Sequence, residues 1–147
     1  MSAENKTIAR RLRQDIWNTG NLGIADELCA GDAVFHINDP FTPDLGRGPD
    51  GLKKLVTMYR TGFPDAHVTI EDFVAEGDRV VVRWTGRGTH RGKLGSIAPT
   101  DRKVTVTGID LFHISGGKVR EYWTNWDTLG MLQQLGVQQV AAVGTGG

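Results

Sequence analysis

Cysteine is almost absent from this chain. The single Cys29 cannot form an intramolecular disulfide, and no Cys/His spacing matches a structural zinc site. Nothing therefore demands an oxidising compartment or a metal staple. Net charge is lacking too: seventeen basic residues offset seventeen acidic ones. That balance removes the electrostatic reason to expect a nucleic acid, an anionic membrane or another polyanion as partner. There is no run of eighteen apolar residues for a membrane-spanning helix, and residues 1–13 are polar and charged, without the apolar centre of a secretory signal. These absences predict a soluble, cytoplasmic protein. Asn5-Lys-Thr7 spells a glycosylation sequon, read as coincidence in a chain with no export signal.

What is present fits one domain: 147 residues can bury a real core but are too few for two ordinary domains. Ile8, Leu12 and Ile16 recur at helical spacing up to Trp17, Asn18-Thr-Gly20 stops that helix, and residues 24–29 make a second, short one. Residues 33–38 read as a strand broken by Asp39-Pro40, and the Pro- and Gly-bearing stretch 41–48 as a loop. Pro49 suits the first turn of a helix whose apolar face is Leu52, Leu55, Val56 and Tyr59, ended by Gly62 and Pro64. The period then changes to two. Val68, Ile70 and Val74 alternate with Thr69, Glu71 and Phe73, Glu76-Gly-Asp78 turns the chain, and 80–85 returns as a strand. Residues 86–99, rich in Gly and basic side chains, are expected to bulge or loop. Residues 103–114 and 119–126 follow as strands, 128–134 as a helix, and 137–147 as a tail with little to pack. Helices followed by a strand meander predict an α+β domain over residues 1–136. Its curved antiparallel sheet wraps around N-terminal helices and leaves a cavity between the two layers.

The chemistry concentrates in residues 108–127, where two β-rich runs flank Ser115-Gly-Gly-Lys118, a hairpin signal. Asp110, His113, Glu121 and Asp127 sit on these strands, and an ionisable group on a half-buried strand faces water, finds a partner, or has a perturbed pKa. Register decides which groups meet. A four-residue loop pairing Ile114 with Val119 puts His113 and Asp127 on opposite faces. A three- or five-residue loop, or a bulge at Gly116-Gly117, puts them on the same one. Asp127 also directly precedes the last helix and is readable as its N-cap. Asp110 is a second carboxylate, readable as a pocket group or as a solvent-facing or turn-capping residue. His36 and Asn38 alternate, so both point one way, toward the expected pocket mouth. Trp17, Tyr59, Phe63, Trp84 and Trp123, with Met58 and Trp126, are candidate apolar walls, readable equally as core.

Gly88-Thr-His-Arg-Gly92, Ala98-Pro-Thr-Asp-Arg-Lys103, Gly116-Gly-Lys-Val-Arg-Glu-Tyr-Trp123, Asp127 and Gln134-Leu-Gly136 together resemble the SnoaL-like polyketide cyclases of the NTF2-like superfamily. The resemblance implies an NTF2-like cone with a deep apolar pocket, a homodimer, no metal or organic cofactor, and a small apolar or aromatic polyketide-like ligand. It implies Asp127 as catalytic acid-base with His113 beside it, and His90 near the pocket. The implied reaction is an intramolecular aldol condensation that closes a ring of an aromatic polyketide ester. The chemistry fits the residues, because a carbon between two carbonyls yields its proton to a carboxylate whose pKa burial has raised. Two other readings share the fold. A limonene-epoxide-hydrolase-like enzyme needs an Asp-Arg-Asp arrangement, and the strand Val104-Thr-Val-Thr-Gly-Ile-Asp110 lacks an Arg two residues before its Asp. A SnoaL-like hydroxylase or a non-catalytic small-molecule binder is the other.

Overall fold

The four-residue spacing of Ile8, Leu12 and Ile16 does produce a helix that buries one face, with Ile16 wholly inaccessible. The computed structural model describes residues 2–42 and 44–137, so all but the first residue of the tail expected at 137–147 lies outside the described residues. The first helix runs as α1 (Ser2–Arg10), widens into one π-helical segment (Arg11–Asp15) and resumes as α2 (Ile16–Thr19). Gly20 closes it with a φ of 71°, a left-handed cap that suits glycine. A short α3 (Gly23–Leu28) leads into β1 (Cys29–Ile37), which begins earlier than its apolar pattern suggested. Pro49 opens α4 (Pro49–Gly62), and Leu52, Leu55, Val56 and Tyr59 form its buried face as expected.

Four strands follow: β2 (His67–Glu76), β3 (Arg79–Thr89), β4 (Lys103–Ser115) and β5 (Lys118–Trp126). The sheet order is β1-β5-β4-β3-β2, antiparallel throughout except that β1 runs parallel to β5. This is the expected α+β architecture, a five-stranded curved, unclosed sheet around N-terminal helices. Even-numbered positions of β3 and β4 face the helices, including Val80, Val82, Trp84, Asp110, Phe112 and Ile114, all buried.

Two irregularities reset the alternation. The extra residue Glu71 in β2 shifts the phase so that Phe73 packs on the core and Val74 is 65% exposed, the reverse of the simple alternation. In β5 the extra residue is Arg120, between the pairs Ile114–Val119 and His113–Glu121. The turn itself is a tight two-residue Gly116-Gly117, with φ of 62° and 73°. The bulge therefore lies beside the Gly pair, not in it. The edge strand β2 is held by a side chain: Asn18 donates to the Val68 carbonyl (3.0 Å) and accepts from the Val68 N–H (2.7 Å).

Short α5 (Thr128–Gln134) closes the end of the layer pair. Met131 is buried, and the Gln134 side chain makes two 2.9 Å hydrogen bonds with the backbone of Thr105 on β4. No helix among the described residues is long and apolar enough to cross a membrane.

Candidate active site

Between sheet and helices lies a cavity of about 90 Å³. Trp17, Tyr59 and Phe63 form its helical side, Trp84, Val106 and Trp126 its sheet side, and Met131 of α5 one end. Trp17, Tyr59, Phe63 and Trp84 are thus where a ligand wall was expected. Trp84 can lie flat on the sheet because Gly108 is opposite it in register; a Cβ at Gly108 would stand 2.4 Å from the indole.

One wall of this apolar space is polar. Arg13, carried by the π-helical segment, lines the cavity and is 4% exposed. Its Nε donates to Asp110 Oδ2 at 2.5 Å, and its Nη2 donates to the Tyr122 hydroxyl. Asp110, with no accessible surface, also accepts from Trp84 Nε1 (2.9 Å) and from the Tyr122 hydroxyl (2.9 Å). The guanidinium further lies over the Trp84 ring, 4.2 Å from its centroid. Burial alone would lower the Arg13 pKa, yet the Asp110 carboxylate and the Tyr122 phenol hold it above its ordinary value. The result is a fixed positive group at a dry wall. Beside it Thr124, paired with Asp110 across β4 and β5, also lines the cavity. Its hydroxyl is buried and has no hydrogen-bond partner among the described residues.

A second polar pair stands at the helical side. The Tyr59 hydroxyl donates to Asp39 Oδ2, and the Phe41 N–H donates to Asp39 Oδ1 at 2.8 Å. Asp39 is buried, and burial raises its pKa against the opposing effect of these two donors. Tyr59 is likewise raised, by burial first and by the neighbouring carboxylate second.

The remaining expected site residues lie elsewhere. Asp127 is exposed and outside the cavity lining; its Oδ1 accepts from the Gly130 N–H at 2.8 Å and so caps α5. The Arg120 bulge does put His113 and Asp127 on one face of the sheet, but that face points outward. Six strand residues, roughly 20 Å, separate Asp127 from Glu121, the partner of His113. His113 instead pairs with Asp78 at 2.8 Å. His36 and Asn38 do share a direction, but it too is outward. Parallel pairing of β1 with β5 turns Phe35 and Ile37 inward, while His36 stacks on Trp123 and bonds Glu121 at 2.6 Å, and Asn38 bonds Asn125. Trp123 lines a groove on this outer face with Asp127. His90 has no accessible surface and packs behind Phe63, ring centroids 5.4 Å apart.

Arg13, Asp39, Tyr122 and Thr124 were not picked out from the sequence. Arg13 had a visible signal, since a charge at this position interrupts the apolar face Ala9-Ile16-Trp17. Among the described residues no three His, Cys, Asp or Glu side chains come together as a metal site would need.

Residues 7–135 match the family model of the SnoaL-like polyketide cyclases. The chain is 31% identical over 123 residues to nogalonic acid methyl ester cyclase of Streptomyces nogalater, covering 82% of this chain and 89% of that one. It is 32% identical over 120 residues to aklanonic acid methyl ester cyclase of Streptomyces peucetius, covering 79% and 82%. Among solved structures it resembles IdmH of Streptomyces antibioticus, with a TM-score of 0.79 at 30% identity, covering 90% of this chain and 99% of IdmH.

Proposed function

Because the chain belongs to the SnoaL-like polyketide cyclase family, we propose that it closes a ring of an aromatic polyketide ester by a cofactor-free intramolecular aldol condensation in the cavity between sheet and helices. The observation that carries this reading is the pairing of the unpartnered Thr124 hydroxyl with the ion-paired Arg13 on an otherwise apolar wall. An aldol step puts negative charge first on an enolate oxygen and then on an alkoxide. A buried cation and a free hydroxyl, held in place before the charge forms, favour both. Asp110 keeps the guanidinium charged and aimed, and Tyr122 completes its fork. Deprotonation itself needs only a carboxylate, because the 1,3-dicarbonyl system delocalises its own carbanion.

Size sets how the ligand enters. A cavity of about 90 Å³ is well below the roughly 300–1,000 Å³ of sites that enclose drug-sized ligands, so it takes the reacting end of a polycyclic ester. The rest lies toward exposed His67 and Arg87, where the lining reaches the surface. Epoxide hydration is less well supported, since Arg13 is held by one carboxylate and a phenol, not by two carboxylates, and Asn38 faces outward. The family resemblance also supports a homodimer, and the apolar patch of Val81, Ile109 and Leu111 on the outward sheet face is the surface we propose for it.

The relatives' substrates supply the probes. Incubation with nogalonic acid methyl ester or aklanonic acid methyl ester yields a ring-closed product by chromatography, and Thr124→Val lowers kcat by about a hundredfold. A wild-type chain that cyclises neither ester would remove the reading.

A further inference from the structure

A carboxylate stands behind each of two polar residues that line the cavity, Asp110 behind Arg13 and Asp39 behind Tyr59, and their surroundings are opposite. Asp110 accepts from a guanidinium, an indole and a phenol, and so positions Arg13. Asp39 is also buried, but among the described residues no Lys, Arg or His pairs with it. Among the described residues its only donors are one backbone N–H and the Tyr59 hydroxyl. A buried carboxylate without a cation is costly to keep charged, and such a group is found where proton uptake is useful. Two carboxylates with such different partners, one paired with a cation and one not, divide the roles of electrostatic support and acid-base exchange.

From this geometry we infer that Tyr59 and Asp39 form the proton relay of the ring closure, with Tyr59 as the catalytic group touching substrate and Asp39 as the group behind it that holds the proton. The inference rests on the cyclase reading above and adds the acid-base pair to it. Tyr59 lines the cavity between Trp17 and Trp126, with ring centroids 6.3 Å and 5.5 Å away, so a planar ligand edge in the cavity meets the ring that carries the hydroxyl.

The steps balance. The Tyr59 oxygen takes the proton from the acidic carbon as its own proton passes to Asp39. The C–H electron pair becomes the enolate, whose oxygen is held at Arg13 and Thr124. The enolate carbon then attacks the acceptor carbonyl, forming the C–C bond and an alkoxide. Tyr59 gives its proton to that alkoxide as Asp39 returns one to Tyr59, which restores both groups without net gain or loss. The phenol need not ionise on its own, since its proton leaves as another arrives. That suits a hydroxyl whose burial and neighbouring carboxylate oppose its charged form.

The test uses the full chain with aklanonic acid methyl ester or nogalonic acid methyl ester. Tyr59→Phe keeps the ring and its packing, and is expected to lower kcat by about a hundredfold or more while the ester's Kd stays within about threefold. Asp39→Asn, which retains an oxygen for the Phe41 N–H, is expected to do the same. The double variant should be no slower than the slower single one, as for residues acting as a unit. Asp39→Glu restores part of kcat, which a merely structural Asp39 would not. Near-wild-type kcat in Tyr59→Phe, or losses that multiply in the double variant, would overturn the relay while leaving the cyclase reading intact. A wild-type chain that cyclises neither ester would remove both.

Discussion

Asp110 has no accessible surface and accepts from three side chains, whereas Asp127 is exposed and accepts from the backbone of its own helix. The same side-chain type therefore carries different consequences. Asp110→Asn leaves the Arg13 charge buried without its counter-ion and is expected to cost about 3–5 kcal/mol. Asp127→Ala removes one helix cap and is expected to cost about 1 kcal/mol with turnover retained. Urea unfolding of both variants beside the ester assay checks the contrast, and an inactive but stable Asp127→Ala would hand the base role back to Asp127. The inward phase of Asp110 was legible, because it alternates with Phe112 and Ile114. Its partner was not, since Arg13 lies 97 residues away and strand periodicity carries no information across that distance. Asp39 was hidden for a different reason: Asp39-Pro40 reads as a strand breaker, and only the tertiary approach of α4 buries it against Tyr59.

The elements themselves were largely legible, because helical and strand periods differ and both were strong here. The errors lie where one residue is added without a glycine or proline to announce it. Glu71 and Arg120 each shift a strand's phase, and the second shift turns Asp127 to the outer face that His113 occupies. The glycines after residue 86 point to a bulge or loop, yet β3 continues to Thr89. There His90 anchors the returning segment. Its N–H donates to the Arg102 carbonyl at 2.9 Å, and its Nδ1 accepts from the Thr100 N–H at 3.2 Å. Burial lowers its pKa against the opposing pull of Asp101, so the folded state holds the imidazole neutral where an unfolded chain would already be protonated. An unfolded state that binds more protons makes stability fall as pH falls. The expected loss begins below about 6.5, the ordinary histidine value, and continues to the lowered folded value. Thermal melts between pH 7.5 and about 5 test this, and His90→Asn, which keeps an acceptor near Nδ1, is expected to flatten the slope. An unchanged slope would assign it to other groups.

At the scale of the molecule, the sheet is two-faced, and the two faces do different work. The concave face meets the helices and holds the cavity, with both polar pairs reaching it. The convex face has no covering element in the described residues, and among its polar side chains, Arg83, Asn125 and Asp127 included, it carries an apolar patch. Ile109 is 53% exposed there, beside Leu111, Val81 and Trp123. An antiparallel sheet can present one face to water, but that face is then normally polar, and an apolar one marks a contact surface. Strand alternation sends most side chains to one face or the other, and Trp126 is the residue that lines both the cavity and the outer groove. Pairing of two copies around Ile109 would therefore leave Arg13, Thr124 and Tyr59 on the concave side untouched. Ile109→Glu tests this: an added carboxylate on each copy meets its like or is desolvated at the contact, which weakens a dimer by at least about a hundredfold. Sedimentation should show a dimer for wild type and a monomer for the variant at micromolar concentration. The monomer should turn over the ester at close to the wild-type rate per chain. A variant that sediments with the wild type would place the contact elsewhere, and a monomer that has lost turnover would mean that the partner helps shape the cavity.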